Sequence, residues 1–190
     1  MNKELLKKLK SGDETAFREC VESHKDKVLN TCYRFVQNRD DAEDLAQEVF
    51  IEVYRSISHF REDAELSTWI YRIAVNKSLD FVRKKKRKKR IAYVLSYFGS
   101  ADEEKDLQLS APTNPQSDLE QKERIQILNK AIDSLPENQK VAITLSKYEG
   151  FSNKEIAEIM ETSVSAVESL IHRAKNNLHK KLHQFYEKHL

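Results

Sequence analysis

Four residues spaced along one stripe define the chemistry this chain offers. Trp69, Arg72, Asn76 and Arg83 recur at three-, four- and seven-residue intervals. A helix through them presents an indole, an amide and two guanidiniums on a single face. Such a set can stack a nucleobase, hydrogen-bond its edge and hold backbone phosphates. A lone tryptophan is more often core than base platform. The unbroken basic run from Arg83 to Arg90, which extends the same helix, shifts that reading. DNA phosphate is its natural counter-charge, the alternative being a solvated basic tail.

A second constellation lies near the C-terminus. Ser165, Ser169, His172, Arg173 and Asn176 share the outer side of a helix whose inner side carries Val167, Ile171, Ala174, Leu178 and Leu182. Small polar residues near a helix N-terminus, with cations further along, suit insertion into a major groove anchored on phosphates. The plainer alternative is a helical hairpin with a solvated face. His172, His179 and His183 fall on one face of this helix, and HxxxH spacing can chelate zinc. Three histidines spread over more than two turns of one helix cannot close a tetrahedral sphere, and HExxH is absent. No metal or other cofactor is expected, no P-loop is present, and no residue set reads as catalytic.

These stripes need helices to position them. The periodicity of Phe17, Cys20 and Val21, then of Val28, Cys32 and Phe35, predicts an amphipathic helix pair. After a turn-prone break at Asn38 to Asp41 comes a stronger helix. Leu45, Val49, Val53 and Ile57 form one apolar stripe, Ala42, Ala46, Phe50 and Tyr54 an adjacent one, and Glu43, Asp44, Gln47 and Glu48 the remaining face. An acidic face repels DNA, so this helix suits a basic or apolar protein surface. His59 to Leu66 reads as a loop, with Ser67 capping the Trp69 helix to about Arg83. Further on, Pro136 suits a helix's first turn. Ser152 and Glu155 make a capping box for the next helix, and Glu161 to Ser163 a short turn before the last one.

Composition agrees. Charged residues make up 34% and glycine occupies 3 positions, which favours helices over a sheet with many tight turns. The net charge of +2 hides segregation, because Asp102, Glu103, Glu104 and Asp106 follow closely on the basic run. Between Ser96 and Ser117 periodicity is lost, and Gly99, Pro112, Asn114 and Pro115 argue for a flexible linker. The chain therefore reads as all-α, two small helical domains over 1–92 and 119–190 joined by an acidic flexible linker over 93–118. Cys20 and Cys32 lack disulfide or zinc spacing and read as reduced thiols buried in helices. With no apolar run long enough to cross a bilayer and no signal-peptide pattern, no membrane insertion is expected and the location expected is cytoplasmic.

The segment DDAEDLAQEVFIEVYRSISHFREDAELSTWIYRIAVNKSLDFVRKKKRKK resembles region 2 of the extracytoplasmic-function (ECF) group of bacterial RNA polymerase sigma factors. LPENQKVAITLSKYEGFSNKEIAEIMETSVSAVESLIHRAKNNLHKKL is similar to region 4 of the same group, in the same order and at the usual separation. The resemblance implies an alternative, non-catalytic sigma factor that binds core polymerase, recognises −35 and −10 elements and melts DNA. Asp41, Asp44, Leu45, Gln47, Glu48, Val49 and Phe50 would bind the clamp helices of the β′ subunit, and the β flap is a further implied contact. Phe60 to Leu66 matches a loop that captures an extruded −10 base, with Phe60, Arg61, Glu62, Asp63 and Ala64 as its implied contacts and Trp69 and Asn76 beneath it. Arg72, Arg83 and Lys84 complete the −10 set. Ser163, Ser165, Ala166, Ser169, His172 and Arg173 would enter the −35 major groove. An anti-sigma factor is a further partner by family habit.

The chain departs from the family pattern at several positions. Glu161 stands where a turn glycine is frequent, so a non-glycine residue is expected at φ > 0 at a cost of roughly 1 kcal/mol. Glu168 and Leu170 replace frequent cations, and Glu168 could cap its own helix with Ser165. Glu65-Leu66 replaces a small-aromatic pair. The rival is a helix-turn-helix regulator that does not bind polymerase. It accounts for Ser152 to Leu182 but gives no reason for Asp41 to Arg90.

Overall fold

A computed structural model of the chain describes residues 3–62, 64–98 and 117–189. Among the described residues there are eight α-helices, one 3-10 turn and no strand. The N-terminal bundle comprises α1 (Lys3–Lys10), α2 (Glu14–Val36), α3 (Arg39–Ser56), the 3-10 turn Ile57–His59 and α4 (Leu66–Phe98). The C-terminal bundle comprises α5 (Ser117–Asp133), α6 (Glu137–Lys147), α7 (Asn153–Ile159) and α8 (Val164–His189).

The expected pair of helices over Phe17 to Phe35 is one helix, α2, 23 residues long. Its middle, His24-Lys25-Asp26-Lys27, is polar but holds no glycine or proline, so nothing interrupts the hydrogen-bond ladder. Asp13 starts α2 by accepting from the Ala16 N–H at 2.8 Å. The helix ends where Gln37 turns left-handed, φ 54. Asn38 then caps α3 by accepting from the Asp41 N–H at 2.9 Å. The break read at Asn38 to Asp41 is thus a C-cap followed by an N-cap.

α2 packs against both α3 and α4. Val28, Cys32 and Phe35 from α2 meet Leu45, Val49 and Val53 from α3 and Leu66, Ile70 and Ala74 from α4, all buried. Leu6 and Leu9 of α1 close the end of the bundle. The Trp69 helix begins at Leu66, so Glu65 rather than Ser67 occupies the capping position, and the Trp69 N–H reaches the Glu65 carbonyl at 3.0 Å. That helix runs on to Phe98, well past Arg83, for 33 residues. The lysines and arginines that erase its apolar signal are good helix formers. Residues 93–98 of the expected linker are therefore helical, as are 117 and 118; residues 99–116 lie outside the described residues.

In the C-terminal bundle α5, α6 and α7 pack on α8. Pro136 precedes α6 as its cap, φ −53 and ψ 142, rather than lying in the first turn. Ile156, Ala157 and Ile159 of α7 pack over Val167, Ile171 and Ala174 of α8. The two bundles touch, α4 against α7, and their buried residues form one continuous cluster. Cys20 and Cys32 are free and buried, and burial pushes both thiols up to about 11.

Candidate nucleic-acid interface

α4 buries Ile70, Ala74 and Ser78 inward, and this sets the rotation that turns Trp69, Arg72, Asn76 and Arg83 outward. Asn76, Arg83 and Lys84 are exposed; Trp69 and Arg72 are half-buried. Trp69 packs against Phe60, with ring centroids 5.0 Å apart and planes tilted by 40°. Phe60 is 5% exposed and lies against the indole, inside the loop rather than on its surface. The loop itself is shaped by Glu62, a non-glycine residue at φ 61 whose carboxylate takes the Lys10 ammonium at 2.6 Å. Arg61 is exposed and Ala64 half-buried; Asp63 lies outside the described residues.

Both guanidiniums on this face already hold carboxylates. Arg72 donates to Glu161 at 2.6 Å. Arg83 grips Glu137 through Nη2, and through Nε at 3.0 Å, while its Nη1 meets Asp80 at 3.0 Å. Glu137 beside it raises the Arg83 guanidinium above its ordinary value. Sequence reasoning missed both partners. The available signal was Glu161 itself, an acid placed where the chain needs a left-handed residue, φ 52.

Next to these pairs the two bundles are joined by rings and one buried ammonium. Tyr71 meets Phe151 edge-on at 4.8 Å, and burial pushes the Tyr71 phenol up to about 12. Lys140, 8% exposed, donates to Asp133 at 2.6 Å and to the Phe35 carbonyl at 3.4 Å, close to the Phe35 ring. The Arg34 guanidinium lies 4.3 Å over the Tyr148 ring.

α3 presents a different surface. Asp44, Gln47 and Glu48 are exposed and Asp41 is half-buried, its carboxylate 3.2 Å from Lys85. Glu48 and Glu52 flank Lys77 at 3.7 and 3.8 Å. Leu45, Val49 and Phe50, expected on the docking face, point into the protein's own core at 3%, 0% and 9% exposure. The helical period that exposes Asp44 and Glu48 buries them. An apolar side chain that the sequence reading did not place also lies on the acidic face: Ile51, half exposed. Its register, four after Gln47 and seven after Asp44, could have revealed it.

α8 carries the third surface. Ser163 caps it, its hydroxyl accepting from the Ala166 N–H at 3.2 Å. Ser165 therefore lies inside the first turn, bonded to Ser163 at 3.1 Å, and does not pair with Glu168 in a second capping box. Ser163, Ser165, Ser169, His172 and Arg173 are exposed together and Ala166 is half-buried beside them. His172 is bonded to Asn176 at 3.0 Å. Leu170, the apolar departure, packs against the core. His179 and His183 stack at 6.2 Å, and among the described residues no group of three or more His, Cys, Asp or Glu side chains could hold a metal ion. No helix among them is long and apolar enough to cross a membrane.

The fold delivers an aromatic and cationic face, an acidic face on the neighbouring helix, and a serine-capped helix with an exposed polar side in a second bundle. Comparisons with known proteins match this arrangement. The model of sigma-70 region 2 matches residues 20–88 and that of sigma-70 region 4 matches residues 125–178. The ECF RNA polymerase sigma factor SigW of Bacillus subtilis (strain 168) is 34% identical over 96% of this chain and 97% of its own length. Among solved structures, CnrH in complex with the cytosolic domain of CnrY aligns with a TM-score of 0.68 at 22% identity, over 95% of this chain and 96% of that one. The sigma factor RpoE in complex with the anti-sigma factor NepR, from Bartonella quintana, aligns at 0.61 and 21%, over 87% and 96%. Those structural likenesses carry the fold, and the sequence match carries the family: the chain belongs to the ECF RNA polymerase sigma factors.

Proposed function

We propose that this sigma factor docks on bacterial core RNA polymerase through the exposed acids of α3, opens the −10 element on α4 and grips the −35 element with α8. The observation that carries the proposal is the division of labour within the N-terminal bundle. Asp44, Gln47, Glu48 and Ile51 face outward on α3, while Trp69, Arg72 and Asn76 do so on α4. One rigid unit can therefore hold a protein and a DNA strand at once.

Each face has matching chemistry. Asp44 and Glu48 attract basic side chains while Ile51 gives them an apolar centre, the pattern of an anchor in a polar rim. The Trp69 indole, braced by Phe60, offers a stacking platform for a base pulled from the duplex. Extrusion costs a few kcal/mol, which stacking and the Asn76 amide must return. On α8 the serines allow close approach to base edges while His172 and Arg173 reach phosphates. Such a protein would act in the cytoplasm, where polymerase works, and an anti-sigma partner could control it. It changes where polymerase begins without catalysing a step itself.

The purified protein, added to sigma-free bacterial core polymerase on its own genomic DNA, should produce discrete transcript starts sharing −35 and −10 sequences. DNA binding without polymerase binding would place the protein among ordinary helix-turn-helix regulators. At the residue level, Asp44→Lys with Glu48→Lys should weaken polymerase affinity by about tenfold or more and leave DNA contacts intact. Trp69→Ala or Asn76→Ala should cut heparin-resistant open complexes while polymerase affinity holds. Equal losses in both assays would contradict the division of faces.

A further inference from the structure

We infer that Lys10, at the end of α1, is a positioning residue for the −10 loop: its ammonium holds Glu62, covers Phe60 and so keeps the loop and the Trp69 indole ready to receive a base. This rests on the reading that α4 and the loop before it capture a −10 base, and adds a helix that the reading does not include.

α1 is short, and two features fix where it ends. Leu6 and Leu9 are buried in the core of the N-terminal bundle. Gly12 then turns left-handed at φ 82, which lets the Asp13 N–H reach back to the Lys8 carbonyl at 3.1 Å. Lys10 stands between the buried Leu9 and this turn. α1 also packs against the 3-10 turn Ile57–His59, from which the loop leaves. The ammonium therefore reaches the loop from a supported helix end.

There it makes two contacts. The first is with the Glu62 carboxylate at 2.6 Å, between residues 52 positions apart in sequence. The second places it 5.9 Å from the centre of the Phe60 ring, whose face attracts a cation. Phe60 in turn lies against Trp69, 5.0 Å between ring centroids. One side chain thus touches both the turn of the loop and the ring beneath the indole.

Glu62 needs such a hold. Its φ of 61 is a conformation that L side chains disfavour, and it persists only where the surroundings impose it. The Lys10 side chain is 28% exposed and that of Glu62 52%, so the pair is individually weak and adds little to the stability of the bundle. Its effect is on the loop. A loop that must be ordered as the base arrives subtracts that ordering cost from binding, and one already held does not.

The test uses full-length proteins: wild type, Lys10→Met, Lys10→Arg, Glu62→Gln, the Lys10→Met with Glu62→Gln double variant, and Lys7→Met. The last makes the same charge change at an exposed position of the same helix. Arg61 is exposed in the loop, so an arginine-specific protease reports its opening without polymerase or DNA. Lys10→Met should speed cleavage after Arg61 about threefold or more, whereas Lys10→Arg and Lys7→Met should leave it unchanged. Unchanged cleavage in Lys10→Met would overturn the inference.

Open complexes are then counted on polymerase-bound protein, with a promoter taken from its transcript starts and each −10 base varied in turn. Trp69→Ala marks the position whose preference depends on the indole. Lys10→Met and Glu62→Gln should each lose about threefold in discrimination at that position, keep it elsewhere and leave the unfolding midpoint in place. The double variant should be no worse than either single one, as befits one shared contact, and Lys10→Arg should restore the preference. A loss spread evenly over the −10 element, or an equal loss in Lys7→Met, would overturn the positioning role. So would a Glu62→Gln protein that binds tighter with selectivity intact, which would reduce the pair to charge neutralisation. If Trp69→Ala leaves every −10 preference intact, base capture itself fails, and the protease result still decides whether Lys10 holds the loop.

Discussion

Ser152 and Glu155 show how far a single residue pair can be read from sequence alone. The Ser152 N–H donates to Glu155 at 2.8 Å and the Glu155 N–H to the Ser152 hydroxyl at 3.3 Å, the reciprocal box that the S-x-x-E spacing predicts. The Ser152 hydroxyl and N–H hold the Glu155 carboxyl below its ordinary value. A carboxyl depressed in the folded state adds stability that is present above its unfolded pKa and is lost as pH falls through the folded one. Ser152→Ala should therefore cost about 1 kcal/mol at neutral pH, with the gap to wild type narrowing in acid. Urea denaturation at stepped pH checks both. A constant gap would deny the carboxylate its part. The same logic misassigned Ser165, because two serines two apart compete for one cap and the helix start decides between them. The Arg72–Glu161 pair was illegible for another reason: 89 residues separate its members, and no local period encodes such a meeting.

Helices were legible where an apolar stripe ran through them and misjudged where polarity interrupted it. α3 begins and ends close to where its two stripes do. α2 was read as two helices because His24 to Lys27 carries no apolar residue, yet the backbone has no reason to stop there. The distinction is testable with Lys25→Pro. In a helix pair a proline near the turn would be tolerated; in one continuous helix it removes a hydrogen bond and clashes, costing about 3 kcal/mol. A thermal midpoint that did not move would restore the pair. α4 was cut short at Arg83 for a related reason. A run of lysine and arginine has helical propensity but no moment, so the sequence marks its charge and hides its shape.

For the whole molecule, composition and order of segments made two helical bundles readable, whereas the contact between the bundles was not. It depends on Tyr71, Phe151 and Lys140, residues that look ordinary one at a time. The exposed basic stretch after Arg83 gives this scale its own prediction. Each phosphate neutralised releases counterions and steepens the fall of affinity with salt by about 0.9 per contact on duplex DNA. Lys84→Ala, Lys86→Ala and Arg87→Ala together should flatten that slope for polymerase-bound protein on duplex promoter DNA by about one to three. An unchanged slope would make the stretch a solvated tail.

The two buried thiols of α2 bear on how such a protein can be controlled. With their sulfurs enclosed and their ionisation displaced to about 11, Cys20 and Cys32 expose almost no thiolate at neutral pH. It is the thiolate that attacks a peroxide or a disulfide, so neither cysteine is placed to react quickly with such an oxidant. Sulfur chemistry at α2 is thus a poor place for an oxidant signal to enter the chain, and the two thiols serve it as packing.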